Sequence, residues 1–229
     1  MSLEIKISLN AGIYLKDPQD SVLGRKIIQH GILLIDELGF EAFNFKKLAQ
    51  EIGSTEASIY RYFENKKSLL TYLVSWYWVW VAYLIQFNTK NIDDPKKKLK
   101  IIIKSFVSAS IDDLNTQYID ENKLHKVVIT EGTKAYKTKE VDQENGKGFF
   151  KNYKQLITMV AEVILEINPT FKYPYALASS LFEMSNDHIY FAKHLPKLTD
   201  IKENDNTYDE VEVMLNFFTA QLLGYKVTD

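Results

Sequence analysis

The sequence contains no cysteine, which excludes a disulfide framework, a thiolate metal site, an iron–sulfur cluster and a cysteine nucleophile, and points to a reducing cytoplasm. Glycine and proline are scarce, nine and five among 229 residues. The residues that punctuate strands and tight turns are therefore few, and a mostly helical chain is expected. A surplus of either charge is missing as well. The 28 basic and 30 acidic residues nearly cancel, excluding both a histone-like nucleic-acid coater and an acidic solvating tail, so any contact with DNA must come from a local patch. The N-terminus lacks the charged-then-apolar pattern of a signal peptide. No glycine-rich phosphate cradle, zinc-protease motif, Gly-x-Ser-x-Gly elbow or Glu-x-x-His pair is found, so no catalytic residue, metal or cofactor is expected.

Apolar residues, in contrast, are plentiful: 46% of the chain is hydrophobic and 13% aromatic, ample for a packed core. The span Ser68 to Phe87 carries no charge and has the length of a membrane-crossing helix. Its aromatic residues Trp76, Trp78 and Trp80, with three tyrosines, lie across the segment instead of forming two belts, and Thr71, Ser75 and Gln86 would face lipid. A helix through a protein core explains it better, so no membrane is expected.

Residues 1–16 read as an extended arm with Ile5, Ile7 and Leu9 alternating. Asp17 and Pro18 then read as the start of a first helix, apolar at Leu23, Ile27, Gly31, Leu34, Ile35 and Leu38 and ended by Gly39. Asn44 caps a short helix to Ile52, and Thr55 caps another to about Tyr62. Asn65 precedes a long helix from Lys66 to about Asn88. Further helices are expected from Pro95 to about Leu114, Glu121 to Thr130, Phe149 to Asn168, Pro174 to about Leu195 and Tyr208 to Leu223. The stretch from Glu131 to Gly148 reads as a loop.

Within this order, Ala49, Gly53 four residues later and Ile59 six after that have the spacing of a helix-turn-helix. Ala49 is small where two helices cross, Gly53 can adopt the left-handed turn, and Ile59 anchors the second helix on the first. Such a unit lays its second helix in the major groove of DNA. Gly39-Phe40, Leu48-Ala49, Gly53, Ile59-Tyr60-Arg61-Tyr62-Phe63 and Asn65-Lys66-Lys67-Ser68-Leu69-Leu70 together resemble the DNA-binding domain of TetR-family transcriptional regulators, over roughly residues 18 to 72. The resemblance implies that Tyr60, Tyr62 and Lys66 contact backbone phosphates, that Thr55, Glu56, Ala57, Ser58 and Arg61 face the groove, and that Lys46 sits at the backbone or a base edge. The opposing reading packs Tyr60 and Tyr62 inside the head and pairs Arg61 with Glu64.

The expected architecture is all-α. It comprises the arm, a three-helix DNA-binding head over residues 17–67, and a larger helical ligand-binding and dimerisation domain over 68–229. On the long helix, Trp76, Trp80 and Tyr83 follow helical spacing and, with Phe182 and His188, are candidates for an aromatic effector pocket; ordinary core packing is the alternative. The last two helices each carry two apolar stripes, hence two burial surfaces. Leu177, Leu181, Met184, Leu215, Phe218 and Leu222 are the candidates for a homodimer interface. The expected function is a ligand-responsive repressor that binds a palindromic double-stranded DNA operator as a dimer and answers to an apolar small molecule. A helical-bundle enzyme or small-molecule carrier is the alternative.

Overall fold

The computed structural model describes residues 6–108, 118–205 and 207–226, and every regular element among them is helical. The chain opens with two caps in succession. The Asp17 carboxylate accepts from the Gln19 amide at 2.9 Å and starts a single 3-10 turn, Pro18–Asp20. Extended backbone at Ser21 interrupts the run, and Ser21 Oγ accepts from the Gly24 amide to start helix α1, Val22–Ala42. The first long helix thus begins after Ser21 and not at Asp17. Gly39 likewise breaks α1 without ending it: at φ 75° and ψ 156° it is non-helical, yet one more turn follows to Ala42.

Helix α2, Phe45–Glu51, is capped by Asn44, which accepts from the Lys47 amide at 2.9 Å. Gly53, at φ 64°, makes the turn. Helix α3, Glu56–Tyr60, is capped by Thr55. It stops two residues short of the expected Tyr62. Helix α4, Lys66–Thr89, opens on Asn65, whose Oδ1 accepts from the Ser68 amide. Beyond it come α5 (Pro95–Ser108), α6 (Glu121–Glu131), α7 (Val141–Gly146), α8 (Lys151–Ile167), α9 (Pro174–His194) and α10 (Thr207–Leu223). The expected extension of α5 to Leu114 lies outside the described residues, as does Ile5. The expected loop from Glu131 to Gly148 contains a 3-10 turn, Gly132–Ala135, and α7. Its charge and three glycines argued against a helix, but Glu144 of α7 is tied to Lys67 at 2.6 Å, and such tertiary contacts override weak local preference.

The chain divides into two compact units, one comprising Met1–Trp80 with Ser110–Tyr153 and the other Val81–Ala109 with Lys154–Asp229. Helices α4 and α8 contribute residues to both. In the first unit, Ile27, Ile28, Ile32 and Ile35 of α1, Leu48 of α2, Ile59 of α3 and Phe63 form a buried core. Each such side chain contributes roughly 1.5–3 kcal/mol on burial. Helix α4 is long and apolar enough to cross a membrane, but every residue from Leu69 to Trp78 is buried in the protein. Trp78 stacks on Tyr153 with centroids 4.5 Å apart, and Tyr77 stacks on His125 at 5.5 Å. The arm is anchored in the same unit: Ile7, Leu9 and Ile13 are buried, and the Gln19 amide binds both the N–H and the C=O of Ile7.

In the second unit, α5 supplies Leu99, Ile102, Ile103 and Phe106, and α8 supplies Leu156, Val160 and Ile164. Leu177, Leu181 and Phe182 of α9 and Val211 and Leu215 of α10 close this core. Phe106 meets Phe182 edge to face at 5.2 Å.

Candidate nucleic-acid interface and regulatory residues

The α2–turn–α3 unit has the geometry that its spacing requires. Ala49 is buried at the helix crossing, its carbonyl accepts from the Ser54 amide at 2.8 Å to close the turn, and Ile59 is fully buried. One side of the unit is thereby fastened to the core. The other side is open: Lys46, Thr55, Glu56, Ala57, Tyr60 and Arg61 are all exposed, and Ser58 is part-buried. Thr55 Oγ1 and Ser58 Oγ lie 3.0 Å apart, so the two hydroxyls orient one another at the start of α3. Tyr60 is exposed while its ring packs edge-on against Phe45 at 5.1 Å. Arg61 makes no ion pair with Glu64 among the described residues. An exposed surface of hydroxyl, carboxylate and guanidinium groups on a short helix can meet base edges, and the flanking lysines can meet phosphates.

Two residues assigned to phosphate by resemblance are engaged elsewhere. Tyr62 is 4% exposed, and its hydroxyl lies 2.8 Å from Ser21 Oγ, the cap of α1. It packs the head and anchors α1, as the opposing reading had it. Lys66 Nζ donates to the carbonyls of Phe40, Glu41 and Phe43 at 2.9, 3.0 and 3.2 Å. A lysine ammonium has three hydrogens, and three carbonyls at the end of α1 take them. Its charge remains at the head, but its directional bonds are structural. Lys16 was missed in the sequence: Leu15 N–H donates to the Tyr62 carbonyl at 2.8 Å, which brings the Lys16 ammonium 5.3 Å over the Tyr62 ring, just past α3. Nothing in the arm's pattern marks that position.

A groove of about 420 Å³ lies in the same unit, with Lys66, Lys67, Lys134 and Lys137 in its lining. It is a poor anion site. Lys67 pairs with Glu144 and Glu140, Lys134 pairs with Glu131 and Glu41, and Lys66 is held by carbonyls.

The candidate pocket residues divide by environment. Trp76 and Trp80 are buried in the first unit and stacked at 5.8 Å. In the second unit, Phe182 is buried, whereas Tyr83 is exposed and stacks on Phe87 at 6.1 Å, so Tyr83 faces solvent and not an interior. His188 Nδ1 lies 2.9 Å from Thr199 Oγ1, and burial pushes its pKa below the ordinary histidine value against the opposing pull of Asp187 and Asp200. Among the described residues no three His, Asp or Glu side chains gather as a metal site would require. The candidate interface divides too. Leu177, Leu181 and Leu215 are buried within the protomer, Met184 is part-buried, and only Phe218 and Leu222 are exposed. A side chain already buried has little surface to give a partner. The exposed apolar stripe on α10 is instead Val213, Phe217, Phe218 and Leu222.

Residues 27–73 match the family described as bacterial regulatory proteins, tetR family. No curated protein sequence matches the chain. Among solved structures, AibR in complex with isovaleryl coenzyme A and operator DNA is similar at TM-score 0.58 and 13% identity, covering 88% of this chain and 100% of that one. The fatty acid degradation regulator FadR from Bacillus halodurans is similar at TM-score 0.58 and 19% identity, covering 83% and 92% respectively. The TetR family transcriptional regulator PfmR from Thermus thermophilus gives TM-score 0.55 and 13% identity, covering 91% and 99%. Residues 27–73 therefore match the bacterial regulatory proteins of the tetR family, and the chain as a whole shares its helical fold with solved transcriptional regulators such as PfmR.

Proposed function

We propose that the protein is a ligand-responsive transcriptional repressor that binds a palindromic DNA operator as a homodimer. The observation that carries this reading is the α2–α3 unit, fastened to the core by Ala49 and Ile59 while Lys46, Thr55, Glu56, Ala57 and Arg61 stand exposed. Homodimerisation is supported by α10. It buries Val211 and Leu215 in its own protomer yet exposes Val213, Phe217, Phe218 and Leu222, an apolar stripe that a second copy would cover in an isologous contact.

An apolar small molecule as effector is supported by the aromatic character of the two interiors, Trp76 and Trp80 in the first unit and Phe182 in the second. Similar structures include a regulator of fatty acid degradation and one solved with isovaleryl coenzyme A, a ligand that joins a short apolar acyl chain to a charged carrier, so only its acyl part has the character of such an interior. The effector acts by population shift, favouring a state in which the two recognition helices no longer match half-sites one helical turn or a multiple apart. The cytoplasm is the compartment where such a protein meets DNA. Selection of bound duplexes from a random pool tests the reading: recovery of an inverted repeat supports it, and recovery of no preferred sequence overturns it.

A further inference from the structure

The break in α1 at Gly39 lies just ahead of the recognition unit, and groups from two distant elements hold it. At φ 75° and ψ 156°, Gly39 occupies a region essentially open to glycine alone. The next amide, that of Phe40, donates to Oε1 of Glu131 at 3.0 Å. Glu131 is the last residue of α6, and its side chain is only 13% exposed. Its other oxygen takes the Lys134 ammonium at 2.8 Å, which also reaches Glu41 at 3.2 Å; this pairing holds the Lys134 pKa above its ordinary value. On the opposite polarity, Lys66 of α4 binds the carbonyls of Phe40, Glu41 and Phe43. Asp36 and Lys123, 3.8 Å apart, join α1 to α6 a second time. The last of the bound carbonyls belongs to Phe43, and α2 begins at Phe45.

We propose that Glu131 is a positioning residue for operator recognition, its carboxylate fixing, through the Phe40 amide, the angle at which the α2–α3 unit leaves α1 relative to α6. The inference rests on the operator-reading function proposed above. Glu131 lies 91 residues from Phe40 in sequence, and its contacts are with the α1 break and Lys134, not with the exposed face of α3. Its influence on DNA therefore passes through geometry. Nonspecific binding needs only charge near phosphates and tolerates a loose junction. Operator binding needs both recognition helices of the dimer in register, so a loosened junction must be ordered at that moment and affinity falls.

The test uses the full chain with two duplexes of equal length, one recovered by selection and one random, and two variants. Glu131→Asp keeps the charge but is one methylene short of the Phe40 amide. Glu131→Gln keeps the reach and loses the charge. Glu131→Asp is expected to bind the operator about tenfold more weakly and the random duplex within about twofold of wild type, as for loss of one charge-assisted hydrogen bond felt only in the specific complex. Glu131→Gln is expected to retain operator affinity within about threefold, because an amide oxygen still accepts from Phe40. Equal losses on both duplexes would show a merely structural role and overturn the proposal. So would a Glu131→Gln variant as weak as Glu131→Asp, which would assign the effect to the Lys134 ion pair. Amide exchange at Phe40 separates this inference from the function reading. Protection in wild type and Glu131→Gln but not in Glu131→Asp supports the clasp even if no operator is recovered, and exchange in wild type as fast as an exposed amide overturns it.

Discussion

Helices α3 and α10 both carry residues that the proposed function offers to a partner, but they were legible to very different degrees. Helix α3 has a single inward anchor, Ile59, between polar neighbours, so its orientation follows once Ile59 is buried. Helix α10 is apolar on two sides, and apolarity says that a residue is buried somewhere without saying against what. Val211 and Leu215 face the protomer interior while Val213, Phe217 and Leu222 face out. Polar residues next to a cap orient a helix locally; two competing apolar stripes are resolved only by the neighbours that α5 and α9 supply.

The largest expected effect breaks the comparison at α10. Leu215→Ala should cost about 2–5 kcal/mol of protomer stability, the usual range for emptying a buried leucine site, seen in denaturant unfolding. Phe217→Glu should leave monomer stability nearly unchanged and dissociate the dimer in sedimentation. Reversal of the two phenotypes would invert the assignment of the stripes. Next in size is Lys66→Ala, which removes three bonds to carbonyls at the end of α1. It should lower stability by about 1–3 kcal/mol and weaken operator binding more than random-duplex binding, since the junction loosens as well as losing a charge. Unchanged thermal stability would return Lys66 to a purely phosphate-binding role.

The caps explain why the head was readable. Asn44, Thr55 and Asn65 each bond an amide three residues on, so the signal and its consequence lie within one turn of chain. Gly53 and Ile59 follow from spacing for the same reason. Lys16, Lys66 and Glu131 are tied to the head by partners 23 to 91 residues away, and no local pattern encodes such pairings. The helix at Val141–Gly146 was hidden likewise, because its tie to Lys67 is tertiary.

A sharper contrast is expected within the head itself. Arg61→Ala should reduce operator affinity by about 1–3 kcal/mol while leaving random-duplex binding little changed, read by titration against both duplexes. Equal losses would place Arg61 on phosphate instead of base edges. The smallest effect belongs to the second unit. Burial lowers the His188 pKa in the folded state, so the unfolded chain takes up the proton first. Stability from this group is complete above the ordinary histidine range and is lost as pH falls through it toward the folded pKa. Thermal unfolding followed from about pH 7.5 down to about 5 should therefore show a decline that His188→Gln makes shallower.

In the proposed function two copies of the α2–α3 unit, held at fixed separation by a dimer, read two half-sites at once. It is tested most directly by inserting half a helical turn of DNA, about five base pairs, between the half-sites of the selected duplex. Affinity is expected to fall toward that of random DNA and to recover in part when a full turn is inserted. Unchanged affinity after the half-turn insertion would contradict it.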